Sequence, residues 1–372
     1  MSEAGSSTGK GKASKARTPK APDFEIGGQK VAPGTRQLVD IPISLLSNHT
    51  PVNLTVSVVH GKRPGPVIFV SGAVHGDEIV GVEVIRRVLK SSALRGMRGT
   101  LLAVPVVNAF GFLNHTRYLP DRRDLNRSFP GHSRGSLAGQ LAHLFLSEIV
   151  ERSDFGIDLH TAAVNRVNLP QIRVNEDDPE IMSFAEAFGA PIILTSPLRD
   201  GSLREAAREL GVPILLYEAG EGLRFDEMSI RAGVSGVLRV MRKLGMTSQR
   251  TVREPRVPSF KSSNSHWLRA PAGGVVVGIH VSTDPSGGHP EMGGARAGAG
   301  GSYSCPQGCP FYPRCPLRTL GGEGIRGTGA CQEFPATCLL GPRPSRTPFR
   351  SRASNNPNQS GDRWRTDYPR PR

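Results

Sequence analysis

Residues 66–90 read PVIFVSGAVHGDEIVGVEVIRRVLK. Pro66 to Val70 is a short apolar run bounded by Pro and Gly, the pattern of a strand covered on both faces. Ile79 to Lys90 then sets Ile79, Val80, Val82, Ile85, Val88 and Leu89 at helical spacing, which makes one apolar face. A strand, a tight turn and a helix are the repeating unit of a layered α/β sheet, and this turn carries His75, Asp77 and Glu78.

The same alternation continues on both sides. Val52 to Val59 alternates polar and apolar residues as a half-exposed strand does, and Thr100 to Val107, Phe155 to Leu159, Pro191 to Leu194 and Pro213 to Tyr217 read as further strands. Helical patterns lie between and after them at Ser136 to Arg152, Pro179 to Phe188, Ser202 to Leu210 and Asp226 to Leu244. This order predicts an α/β domain over residues 35–250, with a largely parallel sheet and helices on both faces. Order is expected to begin near Gln37. Residues 1–25, rich in Ser, Gly, Lys and Ala, read as a disordered basic arm.

The formal charge of +15 raises nucleic acid and membrane surfaces as partners. The excess is spread thinly, the two flanks supplying +2 and +6 of it without the interleaved aromatics of a stacking platform, so the expectation is solvated basic tails and no specific nucleic-acid partner. No run reaches the roughly 18 to 20 apolar residues of a membrane span, and no apolar core follows the N-terminal basic residues. A soluble cytoplasmic protein without a membrane partner is expected, and a homo-oligomer is left open.

All five cysteines, Cys305, Cys309, Cys315, Cys331 and Cys338, lie in the last quarter. A metal in the main domain would therefore use His and carboxylate ligands. Sites in open α/β sheets form at the carboxyl ends of strands. His75 and Glu78 follow one such end, three residues apart, and His160 follows the strand Phe155 to Leu159. Two His and one carboxylate leave the fourth position of a tetrahedral zinc ion open, which is the catalytic arrangement. Such an ion lowers the pKa of its water towards ~7 and polarises a carbonyl. Asp158 is the expected orienting carboxylate, with Asp77 and Glu221 as competitors. Glu218, at the end of the strand Pro213 to Tyr217, is placed to take a proton from a water and return it to a leaving amine.

The strings GAVHGDE, NAFGFLNHTRYLPDRRDLNRSFPG, IDLHTAA and YEAGEG resemble, in order, the signature segments of the succinylglutamate desuccinylase and aspartoacylase family, itself similar to the zinc carboxypeptidases. The resemblance implies a mixed eight-stranded sheet, a Zn2+ ion, and hydrolysis of an acyl amide on an amino acid or similar small carboxylate-bearing substrate. It also implies roles: Glu218 as general base, Arg117 as the cation beside the developing oxyanion, and Asn126 with Arg127 as the clamp on the substrate carboxylate. Arg122 and Arg123 have no assigned partner. A zinc carboxypeptidase acting on peptides, or an inactive relative that only binds metal or ligand, is the competing expectation.

Residues 257–281, with Ser265, His266 and Trp267, look like the start of the small β domain that many family members carry. After Val281 the periodicity stops: residues 282–372 hold 15 Gly, 13 Pro, 12 Arg and no Lys. That composition disfavours a packed core and predicts a disordered tail, consistent with out-of-frame translation of a GC-rich coding region. The cysteine spacings there do not form paired C-x2-C knuckles.

Overall fold

The computed structural model describes residues 19–175, 178–248, 252–255 and 257–263, all within one compact unit, Met1–Arg269. The expectations for residues 1–18, for the rest of the small β domain and for the Gly/Pro/Arg-rich tail lie outside the described residues.

A small hairpin of β1 (Phe24–Ile26) and β2 (Gln29–Val31) precedes the main sheet. The sheet contains β3 (Arg36–Leu45), β4 (Pro51–His60), β5 (Arg63–Gly72), β6 (Arg98–Val104), β7 (Phe155–Ala162), β8 (Asn168–Val174), β9 (Ile192–Thr195), β10 (Ile214–Glu221) and β11 (Phe260–Ser262). Their spatial order is β11-β9-β8-β10-β7-β5-β6-β4-β3, nine strands where the resemblance implies eight. The pairs β11/β9, β9/β8, β10/β7, β7/β5 and β5/β6 are parallel. The pairs β8/β10, β6/β4 and β4/β3 are antiparallel, so the sheet is mixed and largely parallel.

Helices cover both faces. On one side α1 (Val80–Lys90), α4 (Pro179–Phe188) and α6 (Glu227–Lys243) pack a core that includes Val84, Ile85, Phe184, Phe188 and Val237. On the other, α2 (Ala109–Leu113), α3 (Leu137–Phe145) and α5 (Leu203–Glu209) pack Phe110, Leu141, Phe145, Leu203 and Ala207 against the sheet. Val80, Val84, Ile85 and Val88 form the buried stripe of α1 at the i, i+4, i+5, i+8 spacing of one helix face, with Ile79, Val82 and Leu89 half-buried at its edges. Burying each such aliphatic side chain stabilises the fold by roughly 1.5–3 kcal/mol.

Several expected boundaries move. Order begins before Gln37, and before the end of the expected 1–25 arm: the Ala21 amide donates to Lys62, and the Pro22 carbonyl bonds the buried His60 ring at 2.8 Å. The α3 helix stops at Phe145 and gives way to a π-turn over Leu146–Val150, so Ser136 to Arg152 is not one regular helix. β8, which sequence patterning did not reveal, inserts between β9 and β10. The described part of residues 257–281 adds β11 to the edge of the main sheet beside β9. Lastly, β7 and β10 run on through His160 and Glu218, which therefore lie inside strands and not after them. Asp158 and His160 can stay in a fully buried strand because they hydrogen-bond each other at 2.7 Å.

Candidate active site

The turn between β5 and α1 fixes the first two predicted ligands. The Glu78 amide donates to the His75 carbonyl at 3.1 Å, closing a tight loop that starts α1 immediately afterwards. Gly76 lets this loop lie on the backbone of α2: a Cβ there would stand 1.9 Å from the Gly111 carbonyl carbon. β7, the parallel neighbour of β5, brings His160 to the same point.

His75, Glu78 and His160 are all buried, and their donor atoms lie within 4.8 Å of one another. Glu78 Oε1 is 2.7 Å from His75 Nδ1, and its Oε2 is 2.7 Å from His160 Nδ1. The two Nδ1 atoms are 3.2 Å apart. Each ring's opposite nitrogen meets an aspartate: His75 Nε2 lies 3.1 Å from Asp124 Oδ1, and His160 Nε2 lies 2.7 Å from Asp158 Oδ2. Ser71 donates to the other oxygen of Asp158 at 2.7 Å.

This pattern tests the fit of a metal ion. Imidazoles that donate Nε2–H to carboxylates present bare Nδ1 lone pairs, here aimed at each other and at Glu78. Without a metal, protons must sit between these nitrogens and the Glu78 oxygens, and a metal cation can take their place. Two zinc ligands at bond lengths of about 2.0–2.1 Å on a tetrahedron stand roughly 3.3 Å apart, close to the observed separation of the nitrogens. The excess of negative charge also shifts the pKa values of the site. Burial works to lower the pKa of both imidazoles, yet Glu78 with Asp124 raises that of His75, and Asp158 with Glu78 raises that of His160 well above its usual value. Burial opposes ionisation of Glu78, but the two imidazoles outweigh it and hold its carboxyl far below the usual range.

Arg117 closes one side of the cluster, 3.3 Å from Glu78 and 2.9 Å from Asp124. Glu218 stands on β10 beside His160 in the β7/β10 register, and burial pushes its pKa up. Its Oε2 accepts from Asn168 Nδ2 at 2.8 Å, and Arg173 Nε lies 3.9 Å from its Oε1. Asn126 is half-buried and its Oδ1 accepts from the Leu203 amide at 2.9 Å. Arg127 is exposed and donates to the carbonyl of Asn126. Of the competing carboxylates, Glu221 bonds the Asn165 amide and Arg224, whereas Asp77 Oδ1 is buried without a partner among the described residues. Burial and the neighbouring Glu78 raise the Asp77 pKa.

Three polar groups of this region escaped the sequence reading. Asp124 stood in a string dominated by arginines. Arg173 lies on the unforeseen β8, and its Nε is buried without a hydrogen-bond partner among the described residues. Arg204, at the start of α5, has a buried and unpartnered Nη1, and burial together with Arg173 pushes its pKa down to about 10. It remains a cation at neutral pH. Nothing in the sequence of α5, which also carries Glu205 and Arg208, marks it out.

The family model described as the succinylglutamate desuccinylase/aspartoacylase catalytic domain matches residues 64–244. The N-alpha-acetyl-L-2,4-diaminobutyric acid deacetylase of Halomonas elongata is 32% identical over 146 residues, 38% of this chain and 42% of that protein. The chain thus spans less than half the length of this curated relative. A succinylglutamate desuccinylase/aspartoacylase crystal structure from Rhodobacter sphaeroides is similar over 62% of this chain and 70% of its own, with 28% identity and a TM-score of 0.55. The product-bound ectoine utilization protein EutE (DoeB) from Ruegeria pomeroyi shares the fold at 22% identity, with a TM-score of 0.55 over 62% of this chain and 72% of its own.

Proposed function

Because residues 64–244 form a succinylglutamate desuccinylase/aspartoacylase catalytic domain, we propose that the chain is a zinc-dependent deacylase that hydrolyses an acyl amide on an amino acid or a similar small carboxylate-bearing substrate. The observation that carries this reading is the convergence of His75, Glu78 and His160 beside the half-buried carboxyl of Glu218. A zinc ion held by those three residues would supply a Lewis acid that polarises the scissile carbonyl and acidifies a water next to it.

The chain's own groups supply the rest. Glu218 takes the proton of the attacking water and returns it to the departing nitrogen, so one carboxyl serves both halves of the hydrolysis; its raised pKa suits a group that must hold that proton in between. Arg117 presents a guanidinium to the oxygen that gains charge as the carbonyl becomes tetrahedral. Asp124 and Asp158 hold the His75 and His160 rings by their far nitrogens. Asn126 and Arg127 are the proposed carboxylate clamp, and the unpartnered Nη1 of Arg204 supports a second cation for the same purpose.

Zinc-loaded protein assayed against a panel of N-acetyl and N-succinyl amino acids and short peptides tests the reading. Turnover of an acyl amino acid with release of one carboxylate and one amine per event is expected. Peptide cleavage without deacylation would assign the chain to carboxypeptidase chemistry instead.

A further inference from the structure

A general base needs one oxygen free and the other fixed, and the two oxygens of Glu218 differ in this way. Oε2 accepts a hydrogen bond from the Asn168 amide at 2.8 Å. Oε1 accepts none among the described residues, and Arg173 Nε stops at 3.9 Å, beyond hydrogen-bond reach. At that distance Arg173 is an ion-pair partner of Glu218 that makes no hydrogen bond, so it does not fix the orientation of the carboxyl. An amide donor orients the group without adding a charge.

The backbone is arranged to the same end. β8 runs antiparallel to β10 with Asn168 opposite Gly220, and the register slips between Glu218 and Gly220. The pairing of β10 with β7 slips over the same residues, and Gly220 has φ +74°. A bulge of this kind re-aims the side chain beside it, as bulges next to active sites do. We propose that Asn168 is a positioning residue for the proposed base, fixing Oε2 of Glu218 so that Oε1 is the oxygen offered to the reacting water. This rests on the reading of Glu218 as the base. The charged groups that face Glu218 are His160 from β7, Arg173 from β8, His75 and Glu78 from the turn after β5, and Arg204 from α5. Asn168 is the neutral member of this group.

The test uses the full-length, zinc-loaded protein and the best substrate of the acyl amino acid panel. Asn168→Ala should lower kcat about tenfold and leave KM within about twofold, at the parent's zinc content. Asn168→Ser, which keeps a donor, should lose less, and Asn168→Asp, which sets a second carboxylate against Glu218, should lose more. In a Glu218→Gln background, Asn168→Ala should cost less than twofold. A crystal structure of Asn168→Ala should show the Glu218 carboxyl rotated from its parental orientation, a readout independent of turnover.

Equal kcat in all three Asn168 variants, an additive loss in the double variant, or an unmoved Glu218 carboxyl would overturn the proposal. A fully active Glu218→Gln enzyme would instead overturn the base assignment, and with it the role of Asn168.

Discussion

The Nδ1 atoms of His75 and His160 stand 3.2 Å apart, while the far nitrogen of each ring is tied to its own aspartate. Rings held in this way are ligands fixed in advance, so little side-chain ordering remains to be done when an ion binds. Zinc should therefore raise Tm, by an amount that grows with its concentration above Kd, and chelation should reverse the rise. His160→Ala should abolish both the zinc-dependent shift and stoichiometric zinc in the purified protein. Asp158→Asn, which keeps the shape but not the charge behind His160, should weaken zinc by about 10–100-fold. Isothermal titration separates the two effects, and undiminished affinity in Asp158→Asn would show that Asp158 serves only the strand.

Burial raises the pKa of Glu218, so the folded state holds its proton more tightly than the unfolded chain does. The stabilisation this gives is present below the ordinary carboxylate range and is lost as pH rises through the raised value. Above it, a charged carboxylate in a buried position weighs against the fold. Glu218→Gln should then melt, in chelator, at or above the parent's Tm at pH 8, with the difference shrinking or reversing as the solution is acidified. The same variant should lose about a hundredfold to ten-thousandfold in kcat. Loss of Tm at pH 8 together with loss of activity would mean that the carboxylate is structural.

The legible parts of the sequence were those in which a residue's environment follows from its neighbours along the chain. The α1 stripe and the His75–Gly76–Asp77–Glu78 turn are local, and both emerge as read. Strand ends were less legible because buried polar residues break the apolar pattern. His160 and Glu218 look like the exits of their strands, yet each is held within its strand by a partner far away in sequence: His160 by Glu78, and Glu218 by Asn168. β8 stayed hidden because its burial alternates weakly and Pro170 interrupts it. The cations Arg173 and Arg204 could not be told from surface arginines, since only tertiary packing buries them.

Arg204 and Arg127 separate two ways of holding a substrate carboxylate. Arg204 is half-buried and its Nη1 has no hydrogen-bond partner among the described residues, whereas Arg127 is exposed and already donates to the carbonyl of Asn126. A charge-assisted hydrogen bond to a buried guanidinium is worth about 1.5–3 kcal/mol, an exposed one less. Arg204→Met should raise KM about tenfold to a hundredfold at unchanged zinc content. Arg127→Ala should have the smaller effect on KM. The reverse order would return the clamp to Arg127 and make Arg204 a packing residue.

Gly76 offers no ligand, yet the metal site depends on it. The turn from His75 to Glu78 is pressed on α2 so closely that a Cβ at position 76 would stand 1.9 Å from the Gly111 carbonyl carbon and 2.2 Å from the Phe112 nitrogen. Both are backbone atoms, which cannot swing aside as a side-chain tip can. Gly76→Ala must therefore move the turn, α2, or both, and overpacking of this kind costs roughly 1–3 kcal/mol. Any shift of the turn displaces His75 and Glu78 together from His160, which stays fixed in the middle of the sheet on β7. The expected result is a fall in zinc affinity larger than the fall in Tm of the metal-free protein would suggest. Ala163, also near the site but in the exposed loop after β7, gives the comparison: Ala163→Ser should leave zinc affinity unchanged. Parental zinc binding by Gly76→Ala would show that the turn and α2 can separate without cost to the site, and that the close approach is a matter of packing alone.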